Sequence, residues 1–330
     1  MSNLRNDHNA ATETPEIERI KERHEQLQRD LESAQKANDV EDKFDTVVYG
    51  TFSMLLAHFF IKHKVSANAV TLLSLLFGII GSFFFFSQHV LVNFIGILIE
   101  FFAVVLDCAD GQVARMTHTS SQLGRFLDGV VDTICFFAVY FSLGLRMTNE
   151  VIPFSAVKWG IYIWIVLIIN GYFHGEQARM ADYFRSLHLS FLDHGNKANF
   201  TTSRSIRAEI NESKDTPLYN RLYLNVYYLY TTMQEKMTPK TQRLLLAIDE
   251  NGGTVSKELS EAFTSRSRKY VQLTNVLTFN LRAYVLYLLV LLKLHPFFFP
   301  FNIIVLGGIM VFMVRKYEKI AKEVYDEFFA

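Results

Sequence analysis

The run Asp107-Cys-Ala-Asp110-Gly111-Gln-Val-Ala114-Arg115, with Gly124-Arg-Phe-Leu-Asp128-Gly-Val-Val-Asp132 a little further on, places four aspartates within 26 residues. Asp107 and Asp110 are three apart, Asp128 and Asp132 four apart. On a helix either spacing puts both carboxylates of a pair on one face. Each pair lies where an apolar run meets polar sequence: Val90–Leu106 leads into the first, and a Phe-rich stretch follows the second. Carboxylates gathered in such surroundings repel one another and are costly to desolvate unless cations neutralise them. The pattern reads as a site for a hard divalent cation, Mg²⁺ or Mn²⁺ by ligand type, at a membrane surface.

The flanking sequence supports the membrane half of that reading. Half of the 330 residues are hydrophobic, with 30 Phe and six Pro, and the apolar residues are bunched. A membrane-crossing helix needs about 20 largely apolar residues. Six stretches qualify as candidates: 69–87, 90–107, 126–147, 152–173, 271–293 and 297–314. The expected fold is an all-α integral membrane protein of six transmembrane helices. Residues 46–63 are shorter and interrupted by polar groups, and read as an N-terminal amphipathic helix lying in the interface. Lys62, Lys64, Arg115, Arg125, the 176–269 segment and the Arg315-Lys316, Lys319, Lys322 group all fall on one side of the spans. The bias of Lys and Arg therefore predicts that both termini and the aspartate motif face the cytoplasm.

The expected organisation has four parts: a polar segment over 1–42, the interfacial helix and four spans over 43–175, a cytosolic insertion over 176–269, and two spans with a tail over 270–330. Within the first, Ile17, Ile20, His24, Leu27, Leu31 and Ala34 follow a short heptad that reads as a charged amphipathic helix. Within the insertion, Leu218, Leu222, Val226, Tyr230 and Met233 recur at helical spacing, with Tyr219, Tyr223 and Tyr227 alongside. That stripe reads as a helix packed on the membrane face or on the protein. A net charge of zero gives no basic surface for nucleic acid, and the polar N-terminus carries no signal-peptide pattern. Cys108 and Cys135 read as small packing residues, and the histidines show no zinc spacing.

The eight positions Asp107, Asp110, Gly111, Ala114, Arg115, Gly124, Asp128 and Asp132 resemble, in type and spacing, the signature of the CDP-alcohol phosphotransferases. Ser66-x-Asn68-x-x-Thr71 is similar to a further stretch of that family, and the resemblance covers about 65–135. It implies metal-dependent transfer of a phosphoalcohol from a CDP-linked donor to an acceptor hydroxyl with release of CMP, a step of phospholipid synthesis. Two Mg²⁺ or Mn²⁺ ions are implied, with Asp107, Asp110 and Asp128 as ligands. Asp132 is implied as the general base and as a further ligand. Asn68, Thr71 and Ser121 are implied as donor contacts. Gly111, Ala114 and Gly124 permit close approach of helix and ligand, and Arg115 can grip phosphate oxygens with two parallel hydrogen bonds.

The resemblance also implies a homodimer, with one of donor and acceptor a lipid. CDP-diacylglycerol with a polar alcohol is the first reading; a CDP-linked choline, ethanolamine or inositol type of alcohol given to a lipid hydroxyl is the alternative. A nucleotide- or lipid-binding relative without activity would be expected to lack part of the motif, and a transporter to show repeated halves. Neither applies here. Glu100 in mid-span reads as an internal hydrogen-bonding group or a substrate contact. Asn170, His174 and Arg282 read as acceptor-pocket residues or as polar groups paired within the bundle. Arg179 and Arg185 read as a phosphate site or a basic collar at the interface.

Overall fold

A computed structural model of the chain describes residues 43–119, 122–192, 202–212 and 218–330, so the heptad segment and Ser121 lie outside the described residues. Among the described residues every regular element is helical, as expected. The chain enters through α1 (Lys43–Lys62) and turns at Lys64, which takes a positive φ of 57°. It then starts α2 (Ala67–Phe83) behind Ser66, whose hydroxyl caps the helix by accepting from the Ala69 amide. After a 3₁₀ turn the chain reverses into α3 (Val90–Met116), which carries Asp107 and Asp110 in its last turns. His118, at φ 55°, stands in the break before α4 (Gln122–Met147), which carries Asp128 and Asp132 in its first turns. The two aspartate pairs thus sit on consecutive antiparallel helices, at the end where those helices meet.

The fourth expected span differs from the structure. Residues 151–161 form a turn closed by an isolated bridge between Val151 and Lys158, and α5 (Tyr162–Leu192) begins only afterwards. Pro153, Phe154 at φ 63° and Gly160 at φ 49° account for the break, because none of these conformations continues a helix. Further on, α6 (Ser203–Glu212), α7 (Leu218–Met237), α8 (Pro239–Glu250) and α9 (Lys257–Val271) fill the 176–269 segment. A 3₁₀ stretch, Gln272–Leu277, and the extended Thr278 separate α9 from α10 (Phe279–Leu291). A π-helical turn, Phe301–Leu306, leads into α11 (Gly307–Phe328).

Four helical stretches are long and apolar enough to cross a bilayer: Ala67–Phe86, Val90–Met116, Leu127–Met147 and His295–Phe328. The pair Lys257–Leu277 and Asn280–Leu291, bent by 42°, makes a fifth if it is counted as one span. These helices mark a multi-pass membrane protein, with four or five such spans among the described residues where six were expected. Of residues 46–63, all but His63 are helical as expected, within α1. One side of α1 packs Ala57 and Phe60 with Val70, Leu106, Ala109 and Val113, while Phe52, Leu55 and Phe59 are exposed.

The 176–269 segment shares its core with the helices that frame it. Both α5 and α9 run through the boundaries drawn at 175/176 and 269/270. Phe184 and Phe191 of α5, Leu244 and Ile248 of α8, Phe263 of α9 and Met313, Tyr317 and Ile320 of α11 form one buried cluster. Phe191 stacks on Phe263 at 3.9 Å and Phe184 on Tyr317 at 4.0 Å. Each large side chain so buried stabilises by roughly 1.5–3 kcal/mol where water is the alternative. A carboxylate fixes the register. Buried Glu318 of α11 accepts from the Lys240 and Thr241 amides at 2.8 and 2.9 Å, serving as the N-terminal cap that Thr238 does not supply to α8.

At the opposite end of α4, Glu150 joins three elements. Arg146 Nε donates to Glu150 at 2.8 Å and its Nη1 to the Ser87 carbonyl at 3.0 Å, while His295 Nε2 lies 2.7 Å from the other Glu150 oxygen. Burial alone would raise the Glu150 pKa, but the hydrogen bonds from His295 and Arg146 outweigh it and hold the carboxyl below its ordinary value. A depressed carboxyl contributes stability above its unfolded pKa and loses that contribution as pH falls through the folded value. Glu150→Gln should therefore destabilise the protein by about 1–3 kcal/mol at neutral pH. The melting-temperature gap to the unsubstituted protein, measured in detergent, should narrow once the pH falls below the ordinary carboxylate range. An unchanged gap at low pH would contradict the assignment.

Candidate active site

The junction of α3 and α4 gathers the aspartates. One carboxylate oxygen from each of Asp107, Asp110 and Asp128 lies within 4.8 Å of the others, and Asp110 is buried. The carboxyls of Asp107 and Asp128 are within hydrogen-bond reach of each other. Asp132 lies outside this group of three but close enough to Asp107, Asp110 and Asp128 to interact electrostatically. Its position follows from the helix: four residues beyond Asp128, it is one turn further along the same face of α4. Thr71 of α2 donates its hydroxyl to Asp110 Oδ2 and so ties a third helix to the cluster. Gln112 of α3 donates to Ser53 of α1 at 2.9 Å, bringing in a fourth.

These helices approach closely because glycines line the contacts. A Cβ on Gly81 would come within 2.9 Å of Glu100 Cγ, and within 3.1 Å of both the Glu100 amide nitrogen and the Gly96 carbonyl oxygen. A Cβ on Gly78 would come within 2.5 Å of Cys135 Sγ. The sequence reading missed this role. The signal available for it was the spacing of Gly78, Gly81 and Gly96 in the first two spans, a pattern of small residues typical of tight helix pairs in membranes.

The other expected donor contacts distribute unevenly. Thr71 is buried against Asp110. Asn68 is exposed one turn earlier, at the start of α2. Gly111 and Ala114 are half-buried in the last turns of α3, and Gly124 is half-buried near the start of α4. Arg115 is exposed, and its Nη1 lies 3.3 Å from where a Cβ on Gly111 would be, so the guanidinium folds back over the glycine.

The outlying polar residues form a network in the bundle. Arg282 donates to Gln177 at 2.7 Å, Gln177 to the Asn302 carbonyl at 2.8 Å, and Asn302 to Asn170 Oδ1 at 3.1 Å. Arg282 is fully buried, and its Nε and Nη1 have no partner. The His174 ring sits edge-on to Phe136 at 4.1 Å, one turn below Asp132 on α4. Arg179 is buried and paired with Glu176, and Arg185 donates to Asn275 at 2.7 Å. Glu100 is buried with Oε1 unpartnered.

The donor set suits a hard cation. Its ligand atoms are carboxylate oxygens alone, and buried Asp107 Oδ1 accepts no hydrogen bond, an unpaired acceptor that a bound cation would satisfy.

Residues 64–174 match the CDP-alcohol phosphatidyltransferase family. That segment runs from the turn before α2 to His174 in α5 and contains every clustered aspartate, extending the resemblance beyond 65–135. The family transfers phosphoalcohol groups from CDP-alcohols and uses divalent metal ions. An uncharacterized protein of Aquifex aeolicus (strain VF5) is 33% identical over 94 residues, which are 28% of this chain and 46% of that protein. The chain thus matches about half the length of that relative. No solved structure matches.

Gly81→Val should drive α2 away from α3, since the added carbons meet backbone as well as side chain. Overpacking of this kind costs about 1–3 kcal/mol, readable as a lower melting temperature in detergent. A melting temperature equal to that of the unsubstituted protein would show that the helices are not held this closely.

Proposed function

We infer that this chain transfers a phosphoalcohol group, most simply a phosphatidyl group, from a CDP-linked donor to an acceptor hydroxyl and releases CMP in phospholipid synthesis. The convergence of Asp107, Asp110 and Asp128 within the segment that matches the family carries the reading. Those three residues, with Asp132 completing the set, would hold two Mg²⁺ or Mn²⁺ ions. Bound there, the ions neutralise the donor's pyrophosphate and the charge that builds on CMP.

The remaining work falls to side chains. Asp132 takes the proton of the acceptor hydroxyl as its oxygen attacks the phosphorus nearest the donor's alcohol. The new P–O bond forms, the P–O bond to CMP breaks, and CMP leaves with the electron pair. Arg115 grips phosphate oxygens of the donor. Gly111, Ala114 and Gly124 leave room for it, and Asn68, Thr71 and Ser121 orient it.

CDP-diacylglycerol with a polar alcohol is favoured over a CDP-linked small alcohol with a lipid hydroxyl. That choice rests on the resemblance to the family. The distribution of Lys and Arg supports a site and termini on the cytoplasmic side, and a homodimer is the assembly expected of the family.

CMP release by purified protein with Mg²⁺ or Mn²⁺ tests the reading directly. One panel pairs CDP-diacylglycerol with glycerol phosphate, inositol phosphate or serine; a second pairs CDP-choline, CDP-ethanolamine or CDP-inositol with diacylglycerol. Release should occur in the first panel, require one acceptor and stop on chelation of the metal. Release confined to the second panel would reverse which partner carries the lipid, and metal-independent release would overturn the mechanism. Asp132→Asn should lower turnover by about 10²–10⁴-fold, the usual contribution of a general base. Near-normal turnover in that variant would remove Asp132 from the role.

In a separate experiment, Mn²⁺ binding followed by electron paramagnetic resonance should weaken in Asp110→Asn. Unchanged binding there would move the ion away from the cluster.

A further inference from the structure

The helix α7 (Leu218–Met237) has three distinct sides. Leu224, Thr231 and Gln234 are buried. Arg221, Asn225 and Lys236 are exposed along a polar arc. Next to that arc runs an apolar strip at spacings of three and four: Val226, Leu229 and Met233 are 51%, 57% and 37% exposed, with Leu229 at the border, one turn from Asn225. Beside the strip, Tyr223, Tyr227 and Tyr230 stack in series at 5.8 and 6.4 Å. An apolar strip edged by tyrosines and by a polar arc with basic residues is the composition of a helix lying in a membrane interface.

The seat of α7 on α5 points to the same partner. Gln234 donates to the Arg179 carbonyl at 3.1 Å, Tyr230 reaches Asp182 at 3.5 Å, and Arg179 Nη1 lies 2.9 Å from Met233 Sδ. Glu176, Arg179 and Tyr183 continue, at helical spacing, the face of α5 that carries Ile165, Ile169 and Tyr172. Those three side chains and Ile168 are exposed, Ile168 at 73% and Tyr172 at 61%. They form an apolar outer surface on a helix that packs beside the spanning α4. Tyr172 to Arg179 is a rise of roughly 10 Å. α7 therefore rests about two turns beyond the apolar outer face of α5, with its own apolar strip bordering the contact at Met233. The two apolar surfaces lie toward the same face of α5, with the part-buried Glu176–Arg179 pair between them.

We propose that α7 docks into the interface of the bilayer the chain spans, with Val226, Leu229 and Met233 at the boundary of the acyl chains and Arg221, Asn225 and Lys236 toward water. The partner is lipid; charge selectivity among headgroups is no part of the assignment. The proposal rests on the membrane-spanning fold and stands apart from the transfer reaction.

Nitroxide side chains at Val226→Cys, Leu229→Cys and Arg221→Cys test it, in full-length protein reconstituted into phosphatidylcholine vesicles. All three sites are exposed, so the substitutions spare the core, and labelling of Cys108 or Cys135 is subtracted with the unsubstituted protein. Collision with oxygen relative to a water-soluble nickel chelate should be several-fold higher at 226 than at 221, with 229 between them or level with 226. Nickel-dominated collision at 226 and 229 would place the strip in water and overturn the proposal. Immobile labels that neither reagent reaches would overturn it too, because a second copy or the chain's own N-terminal segment would then cover the strip.

Discussion

Three carboxyl groups whose oxygens lie within 4.8 Å of one another, at the ends of helices that otherwise present apolar surfaces, constrain the remainder of the molecule. Such a cluster repels itself and resists desolvation, so the backbone around it must be held by contacts that do not depend on it. The glycines supply them. With a hydrogen in place of a side chain at Gly78, Gly81 and Gly96, α2 reaches van der Waals contact with α3 and α4. That approach brings Thr71 within reach of Asp110. In lipid, apolar side chains gain little by leaving the acyl chains for one another. Close backbone packing and interhelical hydrogen bonds are thus the means left for fixing the motif, and α2 and α1 each provide one such bond.

The same logic explains the buried polar network lower in the bundle. A π turn at Phe301–Leu306 disturbs the regular carbonyl-to-amide pattern of the helix, and Gln177 donates to the Asn302 carbonyl there. Gln177 also accepts from Arg282, and Asn302 donates to Asn170, so α5, α10 and the start of α11 are tied at one level. Beyond that level α5 and α11 continue as the two pillars of the outer bundle. α8 is capped by Glu318 from one pillar, and α9 packs Phe263 on Phe191 from the other. The outer bundle is therefore built on continuous helices of the membrane domain, and its position is coupled to theirs.

Much of this was legible in the sequence, for reasons specific to each part. The aspartate pairs could be placed because helical spacing alone sets which side chains share a face, and α3 and α4 bear that spacing out. The first three spans were legible because uninterrupted apolar runs leave helix as the sole way to satisfy the backbone in lipid. The stretch 152–173 misled because hydropathy counted Ile152, Phe154 and Val157 as span residues. Their backbone is set by Pro153 and by positive φ at Phe154 and Gly160. The sharing of a core between the 176–269 segment and α11 could not be read, since Glu318 meets Thr241 across 77 residues and no local pattern announces that pairing. Likewise the helical stripe from Leu218 to Met233 left out Leu229, which only its exposure assigns to the apolar strip of α7.

On the proposed function, the packing also limits where a lipid substrate would lie. An acyl or isoprenoid tail that accompanies the reacting headgroup needs a lateral path from the site into the bilayer. Between α2 and α3 there is none, because the Gly81 and Gly96 backbones approach too closely for even one added carbon, and Gly78 against Cys135 closes α2 to α4 in the same way. The contact between α4 and α10 is looser: a cavity of about 10 Å³, lined by Glu100, Cys135, Phe136, Val139, Ala283, Leu286 and Tyr287, survives there. That volume is roughly one water molecule and far below the bulk of a tail, so α10 would have to move outward for a chain to pass. The extended Thr278 and the 42° bend ahead of α10 leave that helix joined to α9 by a break instead of a continuous rod, whereas α2, α3 and α4 are locked to one another. The aspartates thus sit on the closely packed side of the bundle, and on the proposed function the break ahead of α10 marks the side left for a tail.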